Sequence, residues 1–514
     1  HMLTTCLAVA NSMIYKFSYV LLAAMPLWLL SFHGTASAQL QIETSPSVSP
    51  STDAAAATGT AIRPATSETT LDRQANQVNI LGGQSSGGPE PNLIHQFQQF
   101  DLGADDTANF VVDPDVANVI SLINALQPSA IDGLLKITSN DSDIASGANL
   151  FLVNPAGIIF GENASLSLPA NLTATTASGL LFEDTYLLSI NGSVSEVGLT
   201  TTGDTSSAST LTPLFNGSTG LIAATSADPT VNDLTGAPSG YLLLAAPANS
   251  AALDTLSTDL PYGSIENQGS LQVESQSTIT LIGQYIQNDG SLIAPGGNVN
   301  LIATSGETLL RLNQPGNLLS LDVIPADTLA ALSPSDGQAA ATALPTTELA
   351  QLLTGGNEPS ATQIEVSPDG SQTLTSTPPL TPAPGTVLVR GTVDVSDNTP
   401  ADQFGSPGQV TMLGDQINLV GGEIYADGVG QAGTLSIGGM PVEDGFSAGY
   451  VLVDRSSILQ ANSETDTGGS VHIWANDTVR FYGTATATGA TPALDGTVTI
   501  DAGDVLDIRQ PTAR

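Results

Sequence analysis

The chain has 514 residues, 41% hydrophobic but only 4% aromatic and 11% charged, with 51 Gly and 31 Pro. Its formal charge is −39, from 49 acids against 10 bases, and neutralising phosphates takes clustered Lys and Arg, so nucleic acid is excluded as a partner. Short runs of Leu, Ile and Val separated by Gly, Asn, Asp, Ser and Thr leave room for many short strands and few long helices, and an all-β class follows.

His1 precedes the Met2 start and reads as an artefact, and residues 2–38 read as a signal peptide. Lys16 precedes the apolar stretch Phe17 to Leu30, and Ala36-Ser37-Ala38 supplies the small-residue pattern for cleavage before Gln39. That stretch is interrupted by Pro26 and is shorter than the roughly 20 residues a spanning helix needs, so the chain is not expected to span a membrane after cleavage. Cleavage also removes Cys6, the only cysteine, leaving no disulfide, thiolate metal site or cysteine nucleophile, and it takes the charge to −40 with Lys16 gone.

Residues 39–70 are Ser, Thr, Ala and Pro with few large apolar side chains and read as a flexible, low-complexity leader. From Leu71 the texture changes to strand-length segments: Gln77 to Leu81, Ala108 to Val112, Leu134 to Ile137, Leu150 to Val153 and Gly157 to Phe160. Val116 to Leu126 carries apolar residues at 116, 119, 120, 123 and 126 and fits a helical face as well as strands. Asn140-Asp141-Ser142-Asp143 lacks the rest of a calcium loop and reads as a solvated acidic turn; no metal or other cofactor is expected.

Residues 226–261 read as an irregular connection, and a repeat follows over 262–303. Asn267-Gln268-Gly269-Ser270-Leu271 returns 21 residues later as Asn288-Asp289-Gly290-Ser291-Leu292, and Ser277 to Gly283 returns after 20 residues as Gly297 to Ala303. A period near 20 with short alternating strands is the signature of a solenoid whose coils stack edge to edge. The period breaks over 304–388, an excursion expected to be partly helical, with Pro345 to Gly356 as the helical segment. It resumes over 389–514 in segments opening at Gly408, Gly433, Gly469 and Gly496. No polar cap is evident at Arg514, so the final coils read as a short or truncated form of a longer array.

Pro91-Asn92-Leu93-Ile94-His95-Gln96-Phe97-Gln98-Gln99-Phe100 and Gly147 to Gly161 together resemble the filamentous haemagglutinin N-terminal domain of two-partner-secretion exoproteins, over about residues 71–185 and most closely its cyanobacterial-type branch. The family's N-P-N-G-I motif is matched by Asn154, Pro155, Gly157 and Ile158, with Ala156 in place of its second asparagine. A second motif, N-P-N-L, has its slot at Asp113-Pro114-Asp115-Val116, where only the proline is kept and no functional residue is carried over. Gly469 to Ala475 with Asn476 to Gly483 looks like a further segment of such proteins. The resemblance implies a right-handed parallel β-helix, a secretion domain over 71–225, and export through the periplasm by a partner outer-membrane transporter to the medium or cell surface. Asn92, Leu93, Phe97, Phe100, Asn154, Pro155, Gly157 and Ile158 are the candidate secretion-motif residues, either read by the transporter or forming a structural turn.

Outside the leader the histidines are His95, expected to be packed or hydrogen-bonded, and His472, which alternates with Val471 and Ile473 and is expected to face solvent. No catalytic residue emerges, and the reading is an adhesin or structural surface protein that meets an unidentified surface receptor or glycan. The alternatives are a β-helix polysaccharide lyase or hydrolase, with Asp394, Asp415, Glu423 and Asp427 among many carboxylates able to serve, or the delivery stalk of a longer toxin or peptidase.

Overall fold

The computed structural model describes residues 59–140, 147–168, 170–183, 185–196, 229–244, 261–314, 317–325, 363–366, 372–375, 383–397, 407–439, 447–508 and 512–513. Their architecture is a parallel β-helix. Each complete coil lays one strand on each of three stacked sheets, as in Asn149–Val153, Gly157–Phe160 and Ser165–Ser167, before Leu172–Thr175 begins the next coil. The first sheet runs through Asn92–Asp101, Asn118–Ile123, Asn149–Val153, Leu172–Thr175, Thr278–Gly283 and Asn298–Ala303 to Thr497–Ala502, all parallel. The second runs from Ser129–Ile131 to Val505–Ile508. The third is in two pieces, tied where the Ser270 N–H donates to Ala164 O at 3.2 Å.

Strand alternation builds this stack. In Ser470–Ala475, Val471, Ile473 and Ala475 point into the lumen and are fully buried, while Ser470, His472 and Trp474 lie on the outer face. In-register pairing repeats the choice from coil to coil, as in Leu435 on Val471 on Val498, so one aliphatic column fills the axis. Each such fully buried Val, Leu or Ile contributes on the order of 1.5–3 kcal/mol. The glycines that open the later segments stack as well: a Cβ on Gly433, Gly469 or Gly496 would overlap the carbonyl oxygen of the glycine one coil below.

Two insertions leave the helix at the same corner, after first-sheet strands Leu172–Thr175 and Asn298–Ala303. They join in one antiparallel six-stranded sheet in the order Val194–Glu196, Tyr186–Ser189, Gly179–Phe182, Gly240–Leu243, Thr308–Gln314, Asn317–Pro325. Leu180, Phe182, Leu188, Tyr241, Leu243 and Leu310 from this sheet form a second core with Ile120, Leu122, Phe151, Val153, Ile282 and Ile302 on the outer face of the first sheet. The N-terminal part of that sheet is thereby buried on both faces. This is why Leu150 to Val153 is a continuous apolar run and Val119 to Ile123 is apolar apart from Ser121, both without strand alternation.

Several boundaries differ from the sequence reading. Val116 to Leu126, open to either reading, contains a strand, Asn118–Ile123. Ala61–Pro64 is a strand within the stretch expected as a flexible leader over 39–70, and Thr69–Gln74 begins at its end. The first has one large apolar residue, Ile62, but pairs antiparallel along Asn92–Asp101 and so gains a template that composition does not reveal. Gly240–Leu243 is a strand within the stretch read as an irregular connection. The excursion expected over 304–388 contains strands where it is described and ends earlier, since Thr386–Val389 is already a rung of the second sheet. Its expected helix, Pro345 to Gly356, lies outside the described residues, as do Ala36, Ala38 and Gln39 and the acidic run Asp141 to Asp143.

Candidate functional site

The two candidate segments occupy different places in the first coils. Pro91 to Phe100 supplies the long first-sheet strand Asn92–Asp101. Leu93, His95 and Phe97 alternate into the lumen, and a register shift opposite Arg63 and Pro64 turns Phe100 inward too. Phe97 and Phe100 meet edge to face at 5.1 Å, Phe100 stacks on Phe110 at 6.1 Å and 6°, and His95 lies 5.7 Å from Phe110 and 6.2 Å from Phe97. The His95 Nδ1 is 3.1 Å from the Thr69 hydroxyl, its Nε2 has no partner, and burial lowers its pKa from 6.5 to about 4. His472, expected in solvent, is on the outer face but half-buried, with its Nδ1 enclosed and unpartnered.

Asn92 does something else. Its Nδ2 donates to Leu234 O at 3.0 Å, while its Oδ1 accepts from the Asn118 amide at 2.8 Å. Asn118 Oδ1 in turn accepts from Asn149 Nδ2 at 2.8 Å, and Asn149 Oδ1 from the Asn171 N–H at 3.3 Å. Asn171 Oδ1 accepts the Thr278 N–H at 2.7 Å. This is an asparagine ladder up one corner of the helix, in which the side-chain amides of Asn92, Asn118 and Asn149 each give and take one hydrogen bond. Sequence reasoning singled out only its first member. The signal was there: three of the strands open Asn92-Leu93, Asn118-Val119 and Asn149-Leu150, and Asn171 directly precedes the fourth at Leu172.

Asn154 to Ile158 forms the corner between the first and second sheets. Asn154 is fully buried; its Oδ1 accepts the Ala156 N–H at 3.0 Å, and the Gly157 N–H donates to its carbonyl at 3.0 Å. Its Nδ2 reaches the preceding coil, donating to Ser129 Oγ at 3.0 Å and Gln127 O at 3.2 Å. Gly157 has φ of +134°, and a Cβ there would stand 2.9 Å from Ser264 O and 3.3 Å from the Pro128 ring. Ala156, in place of a second asparagine, is 3% exposed, and Ile158 joins the lumen. All eight candidate motif residues are therefore buried, and the two groups share a core through Leu93, Phe97, Phe100 and Ile158 while Asn92 and Asn154 mark opposite ends of the first-sheet strands. At the degenerate slot, the Val116 N–H donates to Asp113 O at 3.1 Å in a turn leading into Asn118–Ile123.

Of the carboxylates considered for hydrolysis, Asp394 and Glu423 lie on adjacent rungs of the third sheet, with Asp427 just beyond, whereas Asp415 lies at the corner between the other two sheets. Burial raises the Asp427 pKa above its ordinary value, the Asn462 N–H at 2.6 Å opposes the shift, and the negative charge of Asp394 adds to it. Among the described residues no helix is long and apolar enough to cross a membrane.

The family model described as TPS secretion domain matches residues 55–354. Among solved structures, the chain is similar to the HMW1 secretion domain from Haemophilus influenzae, at 13% identity over 89% of this chain and 99% of that one, with a TM-score of 0.37. It is also similar to the filamentous hemagglutinin secretion domain, at 12% identity over 88% of this chain and 99% of that one, with a TM-score of 0.26. No curated protein matches it.

Proposed function

The chain belongs to the TPS secretion domain family, and on that premise we propose that it is a two-partner-secretion exoprotein that acts outside the cell as an adhesin or structural surface protein. The family match carries the export half of this reading: proteins with this domain are carried across the outer membrane to the extracellular space, with an outer-membrane transporter as partner. Residues 2–38 then serve as the signal peptide for the first crossing, cleaved between Ala38 and Gln39. Stacked coils suit the second crossing, because each emerging coil adds to the edge left by the last and nearest-neighbour pairing opposes its return.

The adhesive or structural half is supported by the later coils, whose first-sheet strands turn aliphatic residues into the lumen and align polar ones outside, as in Gln409, Thr434, Ser470 and Thr497. An unidentified surface receptor or glycan is the matching partner. Deleting residues 71–185 should leave the chain in the periplasm, and unchanged release to the medium would overturn the export reading. The full secreted chain should bind cell surfaces or glycans saturably without consuming them. Turnover of polysaccharide measured in the same screen would instead favour a carbohydrate-active enzyme, with Asp394, Glu423 and Asp427 as the first residues to replace.

A further inference from the structure

Thr69–Gln74 is an edge strand at the end of the third sheet, paired with Gln77–Gly82 in a hairpin whose open end is the pair Thr69 and Gly82. Thr70, Asp72, Arg73 and Gln74 are exposed and Leu71 is half-buried, so Thr69 is the one residue of the strand that is buried. Its hydroxyl meets the His95 Nδ1 at 3.1 Å. Gly83, just past the open end, closes on the same ring: a Cβ there would stand 2.9 Å from His95 Cε1. The hairpin's open end therefore lies directly on His95, which is fully buried with Phe97 and Phe110 as its other ring neighbours.

This enclosure suits a neutral imidazole and opposes a charged one. An imidazolium carries two N–H donors, and Nε2 has no acceptor. The Ser121 hydroxyl on the facing rung is likewise buried and unpartnered, but it brings no negative charge. The ionisable groups on the surrounding elements, Arg63, Glu68, Asp72, Arg73, Asp101 and Asp106, are exposed or half-buried at the surface, and burial is what opposes protonation of the ring. An edge strand with a single buried residue belongs to the least stable part of a fold, so it is the element that gives way when the ring takes a proton.

We propose that Thr69–Gln74 is an acid-released strap: protonation of His95 drives the strand off the first coil and brings the ring to water while the later coils stay folded. The closed form takes up a proton only near pH 4, whereas an exposed ring does so near 6.5. The open form therefore binds the proton more tightly, and its share rises as pH falls, by about twentyfold between pH 7 and pH 5.

The test is amide exchange followed by mass spectrometry on the purified full chain at pH 7 and pH 5, corrected for the intrinsic rate. The opening constant over 69–74 should rise about twentyfold, while 434–437 and 470–475 keep theirs. His95→Leu and His95→Gln should each remove the rise. Thr69→Val should open the strand more at both pH values and keep the pH dependence, since the titrating ring remains. The wild-type profile stands without any variant: a flat constant over 69–74, or an equal rise along the whole helix, overturns the proposal. So does a rise that survives in a folded variant lacking His95.

Discussion

His95 is an ionisable ring in an aromatic lumen, and its behaviour sets a pH signature. Its folded pKa of about 4 lies below the 6.5 of the unfolded chain. The unfolded chain therefore takes up the proton first as pH falls, so stability is intact above about pH 6.5 and is lost between there and about 4, by roughly 3 kcal/mol in total. His95→Leu should remove this component: the difference in unfolding free energy between the two proteins, followed by denaturant titration, should shift in favour of the variant across that window. A constant difference from pH 7 to pH 4 would refute the assignment. Gly157 sets a second constraint at this scale. Gly157→Ala places a methyl group against Ser264 O and Pro128 at a backbone angle that L-residues avoid, and should cost about 2 kcal/mol or more in thermal or denaturant unfolding. A loss below about 0.5 kcal/mol would mean that the corner relaxes freely.

At the scale of the strand and the coil, the asparagine ladder makes its own demand. Asn118 both donates to Asn92 and accepts from Asn149 within a fully buried rung. Asn118→Ala leaves the buried Asn92 acceptor and the half-buried Asn149 donor without these partners and should destabilise by about 1–3 kcal/mol. Because the rungs share hydrogen bonds, adding Asn92→Ala should cost less than the sum of the two single changes, which a double-mutant cycle reads directly; strict additivity would mean that the amides act independently. The coils of 408–500 were legible in the sequence because their outer faces reach solvent, so polar and apolar residues alternate, as in Ser470–Ala475; those of 262–303 were legible from their repeat, with Ile279, Leu281, Val299 and Leu301 pointing inward as it implies although the outer face is covered at Ile282 and Ile302. The rung at 118–123 was less legible, since a surface buried on both sides erases that alternation. The tight corner at Asn154 to Gly157 could be read from its turn residues, but the clamp it exerts on Gln127 and Ser129 is a contact between coils that no local pattern encodes.

For the molecule as a whole, the two insertions matter most, because chain segments as far apart as 179–196 and 308–325 combine into one covering sheet. No periodicity announces such a pairing; it depends on both insertions leaving the same corner of the stack. The architecture predicts how damage spreads. Phe182 is fully buried in the second core, which joins the covering sheet to the covered part of the first sheet. Phe182→Ala should cost about 3–5 kcal/mol locally. In a stack whose coils interact chiefly with their neighbours, that loss should not travel the length of the axis. Amide exchange should therefore accelerate in 118–123, 149–153 and 179–188, while 434–437 and 470–475, in coils outside the second core, keep their wild-type protection. The last described coil should exchange fastest in both proteins, since its inward Leu506 and Ile508 are 44% and 38% exposed. Uniform acceleration along the whole helix would instead show that the covering sheet and the solenoid unfold as one cooperative unit, and would tie the stability of the secretion domain to that of the coils it carries.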